Sequence, residues 1–147
     1  MVDPKPPSWL KPMNRVMKAV QRLGIPTGPA MVLTVPGRRS GQPRSTPMTP
    51  FVHDDGCLYV VAGYPGSDWA ANARAAGSGM LSRGRSTRRV RIVELAPGDA
   101  GPVLRSFAAK VPVGVAFARR AGLVDGGTPD EFAALAGRLT VFRFDDA

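Results

Sequence analysis

Cysteine and histidine each occur once, at Cys57 and His53, and these two scarcities remove whole classes of chemistry. A single cysteine forms no intrachain disulfide and no CxxC metal or redox pair, which makes a reducing interior the natural compartment. A single histidine cannot build the usual zinc sites, and the stretch His53, Asp54, Asp55, Gly56 reads more simply as a turn. No serine–histidine–aspartate set assembles beyond that turn, no reactive cysteine–histidine pair is evident, and no carboxylate pair stands in a core-like run. Long apolar runs are missing as well. Nothing approaches the roughly 20 residues of a membrane span, and the N-terminal stretch lacks the apolar segment of a signal peptide, so the expected location is cytoplasmic. Neither GxxxxGK[ST] nor GxGxxG occurs. An enzyme built from these residues would leave the chemistry to a bound cofactor and supply binding, orientation and electrostatics.

Positive charge is abundant and uneven. Residues 1–95 hold 14 basic against 5 acidic side chains, while residues 96–147 hold 6 of each, so the whole excess lies in the first two thirds. That polarity favours an anionic partner there, whether a phosphorylated cofactor, an anionic membrane surface or nucleic acid. The densest piece is TVPGRRSGQPRSTPM, Thr34 to Met48, with Arg38, Arg39 and Arg44 set among glycines, prolines and hydroxyl residues. Glycine lets backbone amides turn toward a ligand and arginine adds forked donors, so the loop suits phosphate or carboxylate oxygens; a solvated basic loop is the alternative.

Residues 1–12 read as a proline-rich arm, and residues 13–147 as one domain. Met13, Val16, Met17, Val20 and Leu23 recur at helical spacing opposite a basic face, an amphipathic helix that packs on its own domain or lies peripherally on the inner face of a membrane. Strands follow at Met31–Val35, at Ser45–Val52, where Pro47 and Pro50 confine the segment to an edge, and at Cys57–Ala62; their order suggests an antiparallel meander. Ser67 caps a helix Asp68–Ala76 that Gly77 ends, and its free amides offer a second place for an anion. Trp69 and Asn72 share a face of that helix, fit either for a flat ligand or for core packing. Gly79–Arg83 and Thr87–Leu95 form a hairpin whose arginines alternate with aliphatics and lack the aromatics of a nucleic-acid reader, so no nucleic-acid partner is expected. Helical pieces at Pro102–Lys110 and Gly114–Ala121, a capping box from Thr128 to Glu131 opening a helix to Ala136, and a strand Arg138–Phe144 close the chain.

GRRSGQPRSTPM after a short strand, followed by LYVVAGYPGSDWAANARAAG with its W-x-x-N-x-[RK]-A pattern at Trp69, Asn72, Arg74 and Ala75, resembles the deazaflavin-dependent nitroreductase family of the FMN-binding split-barrel superfamily. The resemblance covers about residues 31–95. It implies a mainly β fold with helices (α+β), a split antiparallel β-barrel of about six strands with flanking helices. It implies coenzyme F-420, an 8-hydroxy-5-deazaflavin with a phosphate and an oligoglutamate tail, with FMN as the other candidate. By the same resemblance Arg38, Arg39, Ser40 and Arg44 lie along the phosphate and tail, while Ser45, Thr46, Pro47, Met48 and Thr49 run beside the deazaflavin and its ribityl chain. Val61, Ala62, Gly63 and Tyr64 line the next strand end, and Asp68, Trp69, Ala70, Ala71 and Asn72 close over the coenzyme. Tyr64 and Pro65 stand where members often carry a lysine, and Phe132 where nitroimidazole-activating members carry tyrosine. The implied activity is hydride transfer from the reduced coenzyme to a hydrophobic electron-poor acceptor, a quinone, nitroaromatic or enone, with no catalytic side chain. A non-catalytic carrier of the same coenzyme is the alternative, and a homodimer, common in the superfamily, is left open.

Overall fold

The computed structural model describes residues 31–62 and 66–147. The N-terminal arm, the amphipathic segment 13–23, Gly63, Tyr64 and Pro65 lie outside the described residues. The apolar run MVLTVP forms β1, Met31–Pro36, and pairs antiparallel with β2, Pro43–Met48, with Val35 opposite Arg44 and Met31 opposite Met48. A second hairpin joins β3, Phe51–Val52, to β4, Leu58–Val61. Its turn is closed by the Cys57 amide donating to Asp55 Oδ1 at 2.9 Å and by Gly56 at φ 81°, the turn role expected of Asp55 and Gly56. Helix α1, Asp68–Ala76, starts at Ser67, whose Oγ accepts from the Ala70 amide at 3.3 Å, and stops at Gly77 with φ 70°. Strands β5, Ser78–Arg83, and β6, Ser86–Glu94, turn at Gly84; helices α2, Pro97–Lys110, α3, Pro112–Arg120, and α4, Pro129–Ala133, precede β7, Val141–Asp146.

The seven strands of the described residues join one antiparallel sheet in the order β2-β1-β5-β6-β7-β4-β3. β2 and β3 are therefore its opposite edges, yet only Thr49 and Pro50 separate them in sequence. Three Cα steps span no more than about 11 Å. The sheet must curl until its edges nearly meet, which makes it a barrel split at residues 49–50. This corrects the expected continuous meander: the segment 45–52 breaks into two edge strands, and the strand count rises from about six to seven. Prolines explain the break. Pro43 and Pro47 are tolerated in β2 because it has a neighbour on one side only, and Pro50 ends the pairing.

Two cores result. Leu33, Val35, Val60, Leu81, Val90 and Phe142 fill the barrel, plugged by Ala70 and Ala73 of α1. Outside it, Phe51, Tyr59, Val61 and Val141 pack against Val103, Leu104 and Phe107 of α2 and Phe132 of α4. β4 is thus covered on both faces, which accounts for its unbroken apolar run. α2 begins five residues before the expected Pro102, because Pro97 already fills the first helical position and the small Gly98 and Gly101 leave room for the later proline ring. α3 starts at Pro112, where a separator was expected, for the same reason. α4 ends at Ala133 rather than Ala136, where amide bonds from Leu135 to Phe132 O and from Ala136 to Ala133 O tighten the last turn. β7 lies later than the expected 138–144, since Asp145 sits opposite Arg91 and Asp146 Oδ1 accepts from Arg88 at 3.2 Å, so opposite charges extend the ladder.

Two measurements test this frame. A Cβ on Gly79 would lie 2.8 Å from Val35 Cγ1 and 2.9 Å from the Thr34 carbonyl oxygen, so Gly79→Ala should lower stability to denaturant by about 1–3 kcal/mol, and an unchanged midpoint would contradict the close approach of β5 to β1. Glu131 accepts from the amides of Asp125 (2.7 Å), Gly126 (3.1 Å) and Thr128 (3.2 Å), which hold its carboxyl below the usual carboxylate range. A lowered folded-state value stabilises above the unfolded value and fades as pH falls through the folded one. Wild type should therefore exceed Glu131→Gln in melting temperature at neutral pH, with the gap closing in acid.

Candidate functional site

Two cavities lie on either side of the first turn of α1. One, of about 390 Å³, is lined by Gly37, Arg38, Arg39, Ser40 and Arg44 of the β1–β2 loop and by Asp68 and Asn72 of α1. The loop's amides are largely committed within the protein. Gly37 N donates to Gln42 O at 2.8 Å, Gly41 N to Gly37 O at 2.9 Å, Gln42 N to Ser40 Oγ at 3.2 Å and Arg38 N to Asn72 Oδ1 at 3.1 Å. The expected ring of backbone donors is therefore not what the loop offers; its capacity for an anion resides in side chains. Arg38 is also engaged: Nη1 donates to Asn72 Oδ1 at 2.8 Å and to the Asp68 carbonyl at 3.4 Å, and Nη2 lies 3.5 Å from Asp68 Oδ1. It ties the loop to the helix. Arg39 and Arg44, both exposed, line the cavity with no side-chain hydrogen bond or ion pair among the described residues.

The other cavity, of about 310 Å³, opens at the barrel's seam. Pro47, Met48 and Thr49 form one side, Val60 and Val61 of β4 its floor, and Trp69 of α1 the side toward the basic pocket; Phe107, Gly114 and Phe117 of α2 and α3 face them. Among the described residues, none of its lining side chains titrates in the ordinary pH range. Trp69 is held against Phe142 of the barrel interior, ring centres 5.8 Å apart. Cavities of this size, mainly apolar with a few polar groups at one end, are typical of small-molecule sites.

The W-x-x-N-x-[RK]-A pattern thus divides its labour. Trp69 walls the apolar cavity, Asn72 accepts from Arg38, and Arg74 forms a two-pronged pair with Glu94 (2.7–3.0 Å) while also donating to Thr140 Oγ1 at 3.2 Å. That guanidinium holds the Glu94 carboxyl below its usual range, and the pair fixes α1 to β6. Of the residues singled out in the sequence, Arg38, Arg39, Ser40, Arg44, Asp68 and Asn72 meet in the basic cavity, and Pro47, Met48, Thr49, Val61 and Trp69 in the apolar one. Ser45, Thr46, Ala62, Ala70 and Ala71 line neither. The Ser45 hydroxyl is 2.8 Å from that of the buried Thr34, and Ala62 and Ala70 face the barrel core. Gly63 and Tyr64 lie outside the described residues.

The wall from α2 and α3 was not anticipated. Its one sequence signal is Val113 and Phe117, four apart in PVGVAFARR, but nothing local shows that this face meets the seam. Gly114 enables the approach: a Cβ there would fall 2.2 Å from Phe107 Cζ, so the start of α3 rides directly on that ring. Outside both cavities, Tyr59 donates its hydroxyl to Asp55, and burial followed by that bond pushes its pKa up to about 12. This pins the β3–β4 turn, and Tyr59 lines neither cavity.

Residues 11–125 match the family model described as F420H(2)-dependent quinone reductase. No curated protein matches the chain. Among solved structures, a domain-swapped dimer is 18% identical, covering 96% of this chain and 100% of its own, with a TM-score of 0.57. A NimC/NimA family protein of Clostridium acetobutylicum is 16% identical over 90% of this chain and 81% of its own at 0.52, and a protein of unknown function from Agrobacterium tumefaciens is 15% identical over 99% and 57% at 0.51. At these identities the structures establish the split-barrel fold alone.

The division among the arginines is testable. Arg38→Ala should cost about 1 kcal/mol of stability, reduced by its partial exposure, because it unties the loop from α1. Arg39→Ala and Arg44→Ala should leave stability within about 0.5 kcal/mol yet weaken pyrophosphate binding measured by calorimetry. Equal behaviour of all three variants in both assays would refute the division.

Proposed function

Because the chain belongs to the coenzyme F-420-dependent quinone reductase family, whose redox cofactor is that deazaflavin, we propose that it transfers a hydride from the reduced coenzyme to a hydrophobic, electron-poor acceptor of the quinone, nitroaromatic or enone class. One observation carries the reading: among the described residues, an apolar cavity walled by Trp69 stands one helical turn from a pocket lined by Arg38, Arg39 and Arg44. The pairing fits a molecule that is a flat ring system at one end and an acidic tail at the other.

In this reading Arg39 and Arg44 hold the phosphate and oligoglutamate oxygens, with Ser40 beside them and Arg38 setting the loop's position. Pro47, Met48, Thr49, Val61 and Trp69 flank the ring system. When bound, the reduced deazaflavin supplies the hydride. The chain's own residues bind, orient and exclude water: Trp69 offers an aromatic face, and Phe107, Phe117 and Phe132 form an apolar wall that favours a hydrophobic acceptor over water. A buried, water-poor surround also strengthens every electrostatic contact to the ring system. A two-chain assembly, as in the domain-swapped relative, is part of the proposal. FMN, with one phosphate and no glutamate tail, would leave most of the basic pocket unmatched, whereas a carrier would fill the same two cavities and differs from a reductase in turnover alone.

Fluorescence titration of the pure protein with oxidised coenzyme F-420 and with FMN should give low-micromolar binding of the deazaflavin and weaker binding of FMN, and the Arg39→Ala/Arg44→Ala double variant should lose roughly 10²-fold or more in deazaflavin affinity, from charge-assisted contacts of about 1.5–3 kcal/mol each. Tight FMN with no deazaflavin binding would overturn the cofactor assignment. Oxidation of the reduced coenzyme by menadione, a nitroaromatic or an enone separates a reductase from a carrier, for which no acceptor would be turned over.

A further inference from the structure

The outer side of β1 and β5 is buried without a described element to bury it. Leu33 and Leu81, opposite each other in the ladder, belong to the barrel core. By strand alternation Val32, Thr34, Met80 and Ser82 project from the other side, joined by Thr87 opposite Ser82. Yet within one copy of the chain Thr34 is 0% and Ser82 2% exposed, and Val32, Met80 and Thr87 are half-buried. Among the described residues, α1 packs on both strands from the barrel side through Ala70 and Ala73, α2 packs on β4 and β7, and α3 and α4 pack on α2. None of these accounts for the burial. The hydroxyls bond sideways within the sheet: Thr34 Oγ1 is 2.8 Å from Ser45 Oγ, and Thr87 donates to Ser82 Oγ at 3.4 Å. The surface so formed is a shallow trough, with short side chains at Thr34 and Ser82 flanked by Val32 and Met80. It suits the apolar stripe of an amphipathic helix, which must bury that stripe against another layer.

We propose that the segment 13–23, which lies outside the described residues, docks as a helix in this trough of its own chain, with Val16, Met17, Val20 and Leu23 against Val32 and Met80. Burial of Thr34 and Ser82 within one copy calls for an occupant from the same chain. The three residues 63–65, also outside the described set, are too few to cover two strands. Chain reach supports the segment: β1 opens at Met31, next to Val32, and the link from 24 to 30 spans up to about 25 Å. A helix over 13–23 is shorter than that, roughly 16 Å. Arg15, Lys18 and Arg22 stay in water on its opposite face. Docked there, the segment backs the strand from which the basic loop springs, and the docking does not depend on the coenzyme.

The test uses the full chain with Cys57→Ser as background. Val16→Cys or Val20→Cys combined with Met80→Cys should be bridged within one monomer by a short bis-maleimide, read by gel mobility, about tenfold faster than Lys18→Cys with Met80→Cys. In the otherwise wild-type chain Val16→Ser/Val20→Ser should lower the melting temperature by about 5 °C or more, while Arg15→Ser/Arg22→Ser should leave it within about 2 °C. Should the serine variant fail to fold, the cross-link alone decides. Three results would overturn the proposal: no preference for the apolar positions in cross-linking, bridges that join two chains instead of one, or a melting temperature indifferent to Val16→Ser/Val20→Ser.

Discussion

Two residues govern the shape of this protein. Thr49 and Pro50 join strands at opposite edges of a seven-stranded sheet, and so short a tether leaves the sheet no choice but to curl. The seam this creates is the one place where backbone pairing is interrupted by design of the sequence: β2 carries two prolines and β3 is only two residues long. Short, proline-bearing edges discourage pairing with another chain, so the opening stays available. The apolar cavity lies there because Pro47, Met48 and Thr49 line it as the chain leaves β2. Closure of the barrel and location of the site are one event.

Electrostatics then orders what the seam can hold. Among the described residues, α1 stands between a cavity without charge and a pocket rich in it, and Asp68 and Trp69, adjacent in sequence, face opposite sides of that boundary. Arg38 joins the boundary to the loop and Arg74 joins it to β6. The helix is therefore held at both ends by arginines that face carboxylates and amides, while Arg39 and Arg44 face open space. Two roles for one residue type follow from what each guanidinium touches.

Much of this was legible because the signals are local. The prolines of residues 43–50, the Asp55–Gly56 turn, the Ser67 cap, the Gly77 stop and the Thr128–Glu131 box each act within a few residues, and each appears in the structure where its chemistry demands. The basic pocket was legible for the same reason, being mostly one loop. What the sequence concealed depends on distance along the chain. That β2 and β3 are edges and not neighbours follows from the later arrival of β5, β6 and β7 between them, and the α2–α3 wall meets the seam through long-range packing such as that of Phe107 against Phe51 and Phe132. The partnering of Arg38 by Asn72 crosses 34 residues and has no local signature. Ala70 and Ala71 illustrate the converse: adjacent to Trp69, they are turned by helical periodicity toward the core or away from both cavities.

The contact between Gly114 and Phe107 bears on how such a site diversifies. Phe107 meets Phe51 at a tilt and Phe132 edge to face, with ring centres 5.8 and 5.3 Å away, so its position is inherited from a chain of rings that reaches from the barrel's edge to α4. A single methyl added at residue 114 must push on the whole chain, and the cavity wall moves with it. The width of the apolar cavity is thereby set by a glycine and three phenylalanines. Exchanging bulk among those four positions would reshape the apolar cavity and leave the basic loop untouched.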